Sequence, residues 1–153
     1  MISMGIQEEI CYLDTSAIVK RYVSEAGSEV VDELFKDAYR GVKILSISYW
    51  NIAEIVVVFD KYERILGLNA KNLLKNFLRE AKILRRLYRF KIIGISPPLL
   101  RETIKLILRY HIYVADALQI ASAKAVKSTA FVTGDKKLIS IAEKEGLKTI
   151  FTG

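Results

Sequence analysis

Histidine and cysteine are almost missing from this chain: His111 and Cys11 are the only ones in 153 residues. A structural zinc site takes about four Cys/His ligands, and a Ser/His or Cys/His couple needs a base that only His111 can supply. A paired-histidine nuclease is excluded on the same count. A single Cys cannot close an internal disulfide, which fits a reducing compartment. Proline occurs only as Pro97-Pro98, and no low-complexity stretch, linker or internal repeat marks a second domain, so one domain over 1–153 is expected. No apolar run reaches the roughly 18 uncharged residues of a membrane span, because Glu54 and Asp60 interrupt the most apolar segment. Met1-Ile2-Ser3-Met4-Gly5 followed by Glu8-Glu9 lacks the pattern of a secretory leader, so a cytoplasmic location without membrane association is expected.

What is present is a surplus of positive charge, +7 overall, and it is unevenly spread. Lys61 to Arg109 holds thirteen Lys/Arg against Glu63, Glu80 and Glu102, a net +10, and the remainder is about −3. Lys71, Lys75, Arg79, Lys82, Arg86 and Arg89 recur at steps of three or four, the spacing of one helix face, opposite Leu73, Leu74, Phe77, Ala81, Leu84 and Leu87. Such a stripe is either a solvated face or a contact surface for a polyanion such as RNA, whose binding is salt-dependent through counterion release.

Apolar runs alternate with helical periodicities. Strands are expected at Glu9–Leu13, Lys43–Ser46, Lys91–Ile95, Ala130–Thr133 and Lys148–Phe151. Helices are expected at about Ser16–Tyr22, Ser28–Tyr39, Ser48–Leu66, Asn69–Tyr88, Pro97–Tyr110, Val114–Lys127 and Lys136–Glu145. Gly41, Gly67 and Gly146 supply stops, while Asn69 and Ser96-Pro97 supply starts. Strands separated by helices imply the α/β class, a parallel sheet covered on both faces in an α/β/α sandwich. The Ser48–Leu66 helix, apolar nearly all round, suits either a central helix or an interface.

Four acids stand in apolar surroundings: Asp14 after the first strand, Glu54 amid Ile52, Ala53, Ile55, Val56, Val57, Val58 and Phe59, Asp116 amid Val114, Ala115, Ala117 and Leu118, and Asp135 in Thr133-Gly134-Asp135-Lys136. Carboxylates in such places are paired, protonated or metal-bound, because an isolated buried charge costs several kcal/mol. Asp14 and Asp135 could simply cap the following helices, and Asp116 could be a first-turn acid favoured by the helix dipole. For Glu54 the plain alternative is a salt bridge to Lys20 or Arg21. With soft ligands scarce, the oxygen donors favour Mg2+ or Mn2+. Asp14 and Asp135 each follow a strand, which puts both at the carboxyl edge of the sheet, where open parallel sheets bind ligands.

Read together, these segments resemble a known family. Leu13-Asp14-Thr15-Ser16-Ala17-Ile18-Val19-Lys20-Arg21-Tyr22 resembles the first acidic motif of PIN-domain nucleases, particularly VapC-type toxins of toxin–antitoxin pairs. Ser48 through Asn51-Ile52-Ala53-Glu54 resembles the glutamate on an early helix, Val114-Ala115-Asp116-Ala117-Leu118-Gln119 the third motif, and Val132-Thr133-Gly134-Asp135-Lys136-Lys137-Leu138 the fourth. Gln119 departs from the His of many relatives, a departure not expected to affect activity.

The resemblance implies an acidic pocket of Asp14, Glu54, Asp116 and Asp135 holding one or two Mg2+ or Mn2+ ions, with Asp14 and Asp116 as the foremost ligands. It also implies endoribonuclease activity leaving a 5′-phosphate, a homodimer, and a cognate antitoxin protein as partner. Thr15, Ser16 and Thr133 are candidates to orient a ligand or water, and Lys20 and Arg21 to meet phosphate. An RNA-processing nuclease could show the same acids, and a non-catalytic RNA- or protein-binding module could share the fold. A phosphatase with a nucleophilic Asp is disfavoured because Asp14-Thr15-Ser16 lacks the second acid of Asp-x-Asp.

Overall fold

The computed structural model describes residues 8–153, so the Met1–Gly5 segment read for a leader lies outside the described residues. The chain order is β1 (Glu9–Leu13), α1 (Thr15–Tyr22), α2 (Ser28–Tyr39), β2 (Lys43–Ser48), α3 (Tyr49–Leu66), α4 (Ala70–Arg86), β3 (Phe90–Ile93), α5 (Pro97–Tyr110), α6 (Val114–Ala125), β4 (Ala130–Thr133), α7 (Lys136–Lys144) and β5 (Lys148–Phe151). The strands pair in parallel in the order β3-β2-β1-β4-β5. The chain lays β2 and β3 on one side of β1, then returns to lay β4 and β5 on the other. Winding therefore reverses between β1 and β4, and a crevice opens at the carboxyl ends of those two strands.

Strand alternation sorts the core into two layers. Cys11 and Leu13 join α1, α2, α3 and α4 on one face through Ile18, Phe35, Ile55, Phe59, Phe77 and Leu84. Tyr12, between them, turns to the other face and packs with Leu106, Ile120, Phe131 and Ile141 beneath α5, α6 and α7. Burying large side chains such as these stabilises each by roughly 1.5–3 kcal/mol. Among the described residues no helix is long and apolar enough to cross a membrane.

Local signals set most boundaries. Asn69 accepts from Asn72 N–H (3.0 Å) to start α4, Ser96 accepts from Leu99 N–H (3.3 Å) to start α5, and Gly67 closes α3 at φ +73°. Two helices stop two residues short of expectation, and α7 stops one short at Lys144. The reading to Tyr88 and Lys127 overshoots because α4 and α6 end just before Tyr88 (φ 57°) and Lys127 (φ 56°), left-handed turns made without glycine. Arg89 consequently leaves the helix, and its guanidinium donates to Gly41 O (3.2 Å) and Glu8 (2.8 Å). β3 starts one residue early and ends at Ile93, and β2 runs on to Ser48. Helix α3 is not central: Ile55 and Phe59 are buried, but Val56 and Val57 stand exposed at 40% and 69%.

Candidate functional site

Three of the four acids sit at helix starts, where partial positive charge favours carboxylates. Asp14 is the N-cap of α1, Asp135 the N-cap of α7, and Asp116 lies in the first turn of α6. Asp14 and Asp135 follow β1 and β4, the strands flanking the reversal. Glu54 comes from the second turn of α3, whose start is fixed by a reciprocal cap: Ser48 Oγ accepts from Trp50 N–H (3.1 Å) and Asn51 Oδ1 from Ser48 N–H (2.7 Å). The four acids line one pocket of about 150 Å3 with Thr15, Ser16, Gln119 and Leu138. A larger groove of about 600 Å3, between the β3–α5 turn and α6, is lined mainly by aliphatic side chains and contains none of these acids.

Asp14 is both cap and pocket wall. Its Oδ1 accepts from Ala17 N–H (3.0 Å) and the Ser16 hydroxyl (2.6 Å), and its Oδ2 from the Thr133 hydroxyl (2.5 Å). Ser16 Oγ in turn accepts from Gly134 N–H across the crevice (2.9 Å), and Thr133 Oγ1 accepts from Asp135 N–H within its own turn (3.0 Å). Ser16 and Thr133 thus lock β1 to the turn after β4. Asp135 caps its own helix through Lys137 N–H (2.9 Å). The capping alternative holds for both residues, and it does not remove either from the pocket.

The salt bridge considered for Glu54 is not formed. Arg21 is bidentate to Glu80 (2.9 Å for each bond) and also bonds Asp32 (2.9 Å), while Lys20 Nζ donates to Ala26 O (2.7 Å) and lies 3.4 Å from Glu25. Glu54 Oε1 instead accepts from the Thr15 hydroxyl (2.9 Å) and from Gln119 Nε2 (3.0 Å). Gln119, noted in the sequence only as a departure from the His of many relatives and set aside because it is not one of the acids, belongs to the pocket wall. Its partner lies 65 residues away in the chain.

Burial pushes the Asp14 carboxyl up to about 6 despite its three hydrogen bonds, with nearby Asp135 adding to the rise. Glu54 is raised by desolvation and by Asp116, and Asp116 by desolvation and Asp135, with Lys137 offsetting part of the latter. The acids therefore feel one another's charge, as groups sharing a site do. As donors they are all hard oxygen, the set that suits Mg2+ or Mn2+ in kind. Among the described residues, no three carboxylates are drawn tightly enough together to clasp an ion.

The model of one protein family, the PIN domain, matches residues 11–144. The chain belongs to the PIN-domain family. Several solved structures share its fold at low identity. The chain is similar to VapBC2 from Rickettsia felis, solved bound to a DNA fragment from its promoter, at 20% identity and TM-score 0.65, covering 94% of this chain and 99% of that one. It is also similar to Mycobacterium tuberculosis VapC20, a sarcin–ricin-loop-cleaving toxin, at 15% identity and TM-score 0.60 over 85% and 93%. A toxin–antitoxin complex from Klebsiella pneumoniae matches at 18% identity and TM-score 0.55 over 85% and 90%. No curated protein matches.

The basic residues of this PIN domain do not line the acidic pocket. Lys71, Lys75, Arg79, Lys82 and Arg86 are exposed along α4, as the spacing predicts, with Phe77, Ala81 and Leu84 buried behind them. Lys82 and Arg86, with Arg85, border a groove of about 610 Å3 against Tyr49 and Ile52 of α3. Arg89 drops out of the stripe for the reason given above. Leu87, counted on the apolar side, is 49% exposed at the helix end.

Proposed function

We propose that this PIN domain is a divalent-metal-dependent endoribonuclease and the toxin of a toxin–antitoxin pair. The observation that carries the reading is the convergence of Asp14, Glu54, Asp116 and Asp135 on one pocket at the winding reversal of the sheet. Asp14 and Asp116 are the foremost candidates to hold Mg2+ or Mn2+, with Glu54 and Asp135 completing the oxygen set. When bound, the cation supplies Lewis acidity toward the phosphate and lowers the pKa of a coordinated water.

The chain's own contribution is to hold these carboxylates in place and to keep them apart. Ser16, Thr133 and Ala17 N–H fix Asp14, and Thr15 and Gln119 fix Glu54. Four mutually repelling acids oppose an anionic backbone unless a cation intervenes, so metal-free protein is expected to be inactive. Lys71, Lys75, Arg79, Lys82 and Arg86 are proposed to meet RNA phosphates outside the pocket. Support for the toxin role, and for an antitoxin partner, is the structural likeness to VapC20 and to solved toxin–antitoxin complexes; a homodimer is proposed on the family resemblance alone.

The test separates cleaving from holding. End-labelled structured RNAs are incubated with wild type and Asp14→Asn in Mn2+, Mg2+ or EDTA, and retention and cleavage are scored in parallel. Cuts that need metal and vanish in Asp14→Asn are expected. RNA held equally well in every condition with no metal-dependent cut would instead identify a binding module.

A further inference from the structure

We infer that Gln119 and Tyr12 are positioning residues that fix the orientation of the Glu54 carboxylate, an inference that rests on the nuclease reading of the pocket. The chain of contacts begins in the core. Tyr12 is fully buried, and its ring lies flat against Phe131, with centroids 5.9 Å apart and an interplanar angle of 6°. Its hydroxyl lies 2.6 Å from Gln119 Oε1 and 3.1 Å from Asn51 Oδ1. One hydroxyl has one proton. The contact to Gln119 Oε1 is much the shorter of the two, and it takes the tyrosine proton.

The carboxylate at the far end settles which way the amide points. With Oε1 turned to Tyr12, Nε2 faces Glu54 Oε1 at 3.0 Å. The flipped amide would set its oxygen against a carboxylate oxygen, a repulsive contact. A second relay reaches the same atom: Asn51 Nδ2 donates to Thr15 Oγ1 (3.1 Å), and the Thr15 hydroxyl donates to Glu54 Oε1 (2.9 Å). Both relays end on Oε1. Among the described residues no hydrogen bond reaches Oε2, which stays available to the pocket. Gln119, 3% exposed, is thus a two-ended strut whose acceptor end is held by the core and whose donor end holds the acid.

The residue's chemistry sets the prediction. What the position requires is one donor and one acceptor at opposite ends, which a neutral imidazole also has. Outer partners of metal-binding carboxylates and imidazoles are worth about 10- to 100-fold in affinity or activity. Gln119→Met, which keeps length and loses both polar ends, is expected to lower kcat about 10- to 100-fold with KM for RNA unchanged, and to weaken Mn2+ binding, followed by electron paramagnetic resonance, over the same range. Tyr12→Phe, which leaves Gln119 Oε1 without its donor and the amide held at one end only, is expected to show the same pattern at the smaller end. Gln119→His is expected to restore both readouts.

Glu54→Gln and melting curves complete the set. If wild type cleaves, Glu54→Gln does not, and Gln119→Met matches wild type in kcat and Mn2+ affinity, the positioning role is overturned while the nuclease reading stands. It is equally overturned if the losses in Gln119→Met and Tyr12→Phe follow their melting temperatures and Gln119→His brings nothing back. If wild type itself shows no metal-dependent cleavage, the nuclease reading fails and takes this inference with it.

Discussion

Asp14 concentrates the tension of this fold in one side chain. A carboxyl raised to about 6 from an ordinary 3.8 binds its proton more tightly in the folded chain than in the unfolded one. Stability therefore falls as pH rises from about 4 to about 6, and above that the ionised, buried Asp14 costs about 3 kcal/mol. In EDTA, Asp14→Asn is expected to unfold at higher urea than wild type at pH 7.5, with the gap closing by pH 4; parallel curves at both pH values would contradict this. The four acids were legible because ionisable groups among Ile, Val and Ala are conspicuous. Gln119 was not, since its meaning comes from Tyr12 and Glu54, which lie 107 and 65 residues away.

Helix ends show the same division between what is local and what is not. Stops at Gly41, Gly67 and Gly146 and starts at Asn69 and Ser96 are written in one or two residues, whereas the turns at Tyr88 and Lys127 use side chains that announce nothing. Gly27 carries a further demand. It precedes α2 at φ +88°, and an added Cβ would come 1.9 Å from the carbonyl oxygen of Thr152, where the segment after β5 passes beneath the α1–α2 turn. Gly67, at φ +73°, meets nothing within 4 Å. Gly67→Ala is expected to cost only the left-handed backbone penalty of about 1–2 kcal/mol, and Gly27→Ala clearly more, because backbone must also move. Chemical denaturation of the pair checks this; equal losses would show that the close approach is relieved at no cost.

Across the whole molecule, alternation of strands and helices was enough for the α/β class and for both faces being covered. The strand order was not legible, because nothing local tells a chain leaving β3 to cross back beyond β1. That crossing creates the reversal that brings Asp14 beside the Asp135 turn. The basic face of α4 lies outside the pocket, so its proposed role is to gather RNA rather than to cut it. Neutralising Lys75, Arg79 and Lys82 together is expected to weaken RNA binding and to flatten the log–log salt dependence by about 2 for single strands. An unchanged slope would return the stripe to a plain solvated face.

The most direct test of the central claim is the single-turnover cleavage rate of one RNA substrate in saturating Mn2+ for wild type and for Asp14→Asn, Glu54→Gln, Asp116→Asn and Asp135→Asn, each checked for folding. Four carboxylates acting as one metal-dependent centre predict a loss of about 100-fold or more in each variant, with double variants losing little beyond the worse single one. Cleavage that survives at wild-type rate in Asp14→Asn and Asp116→Asn, or that proceeds in EDTA, would contradict the account.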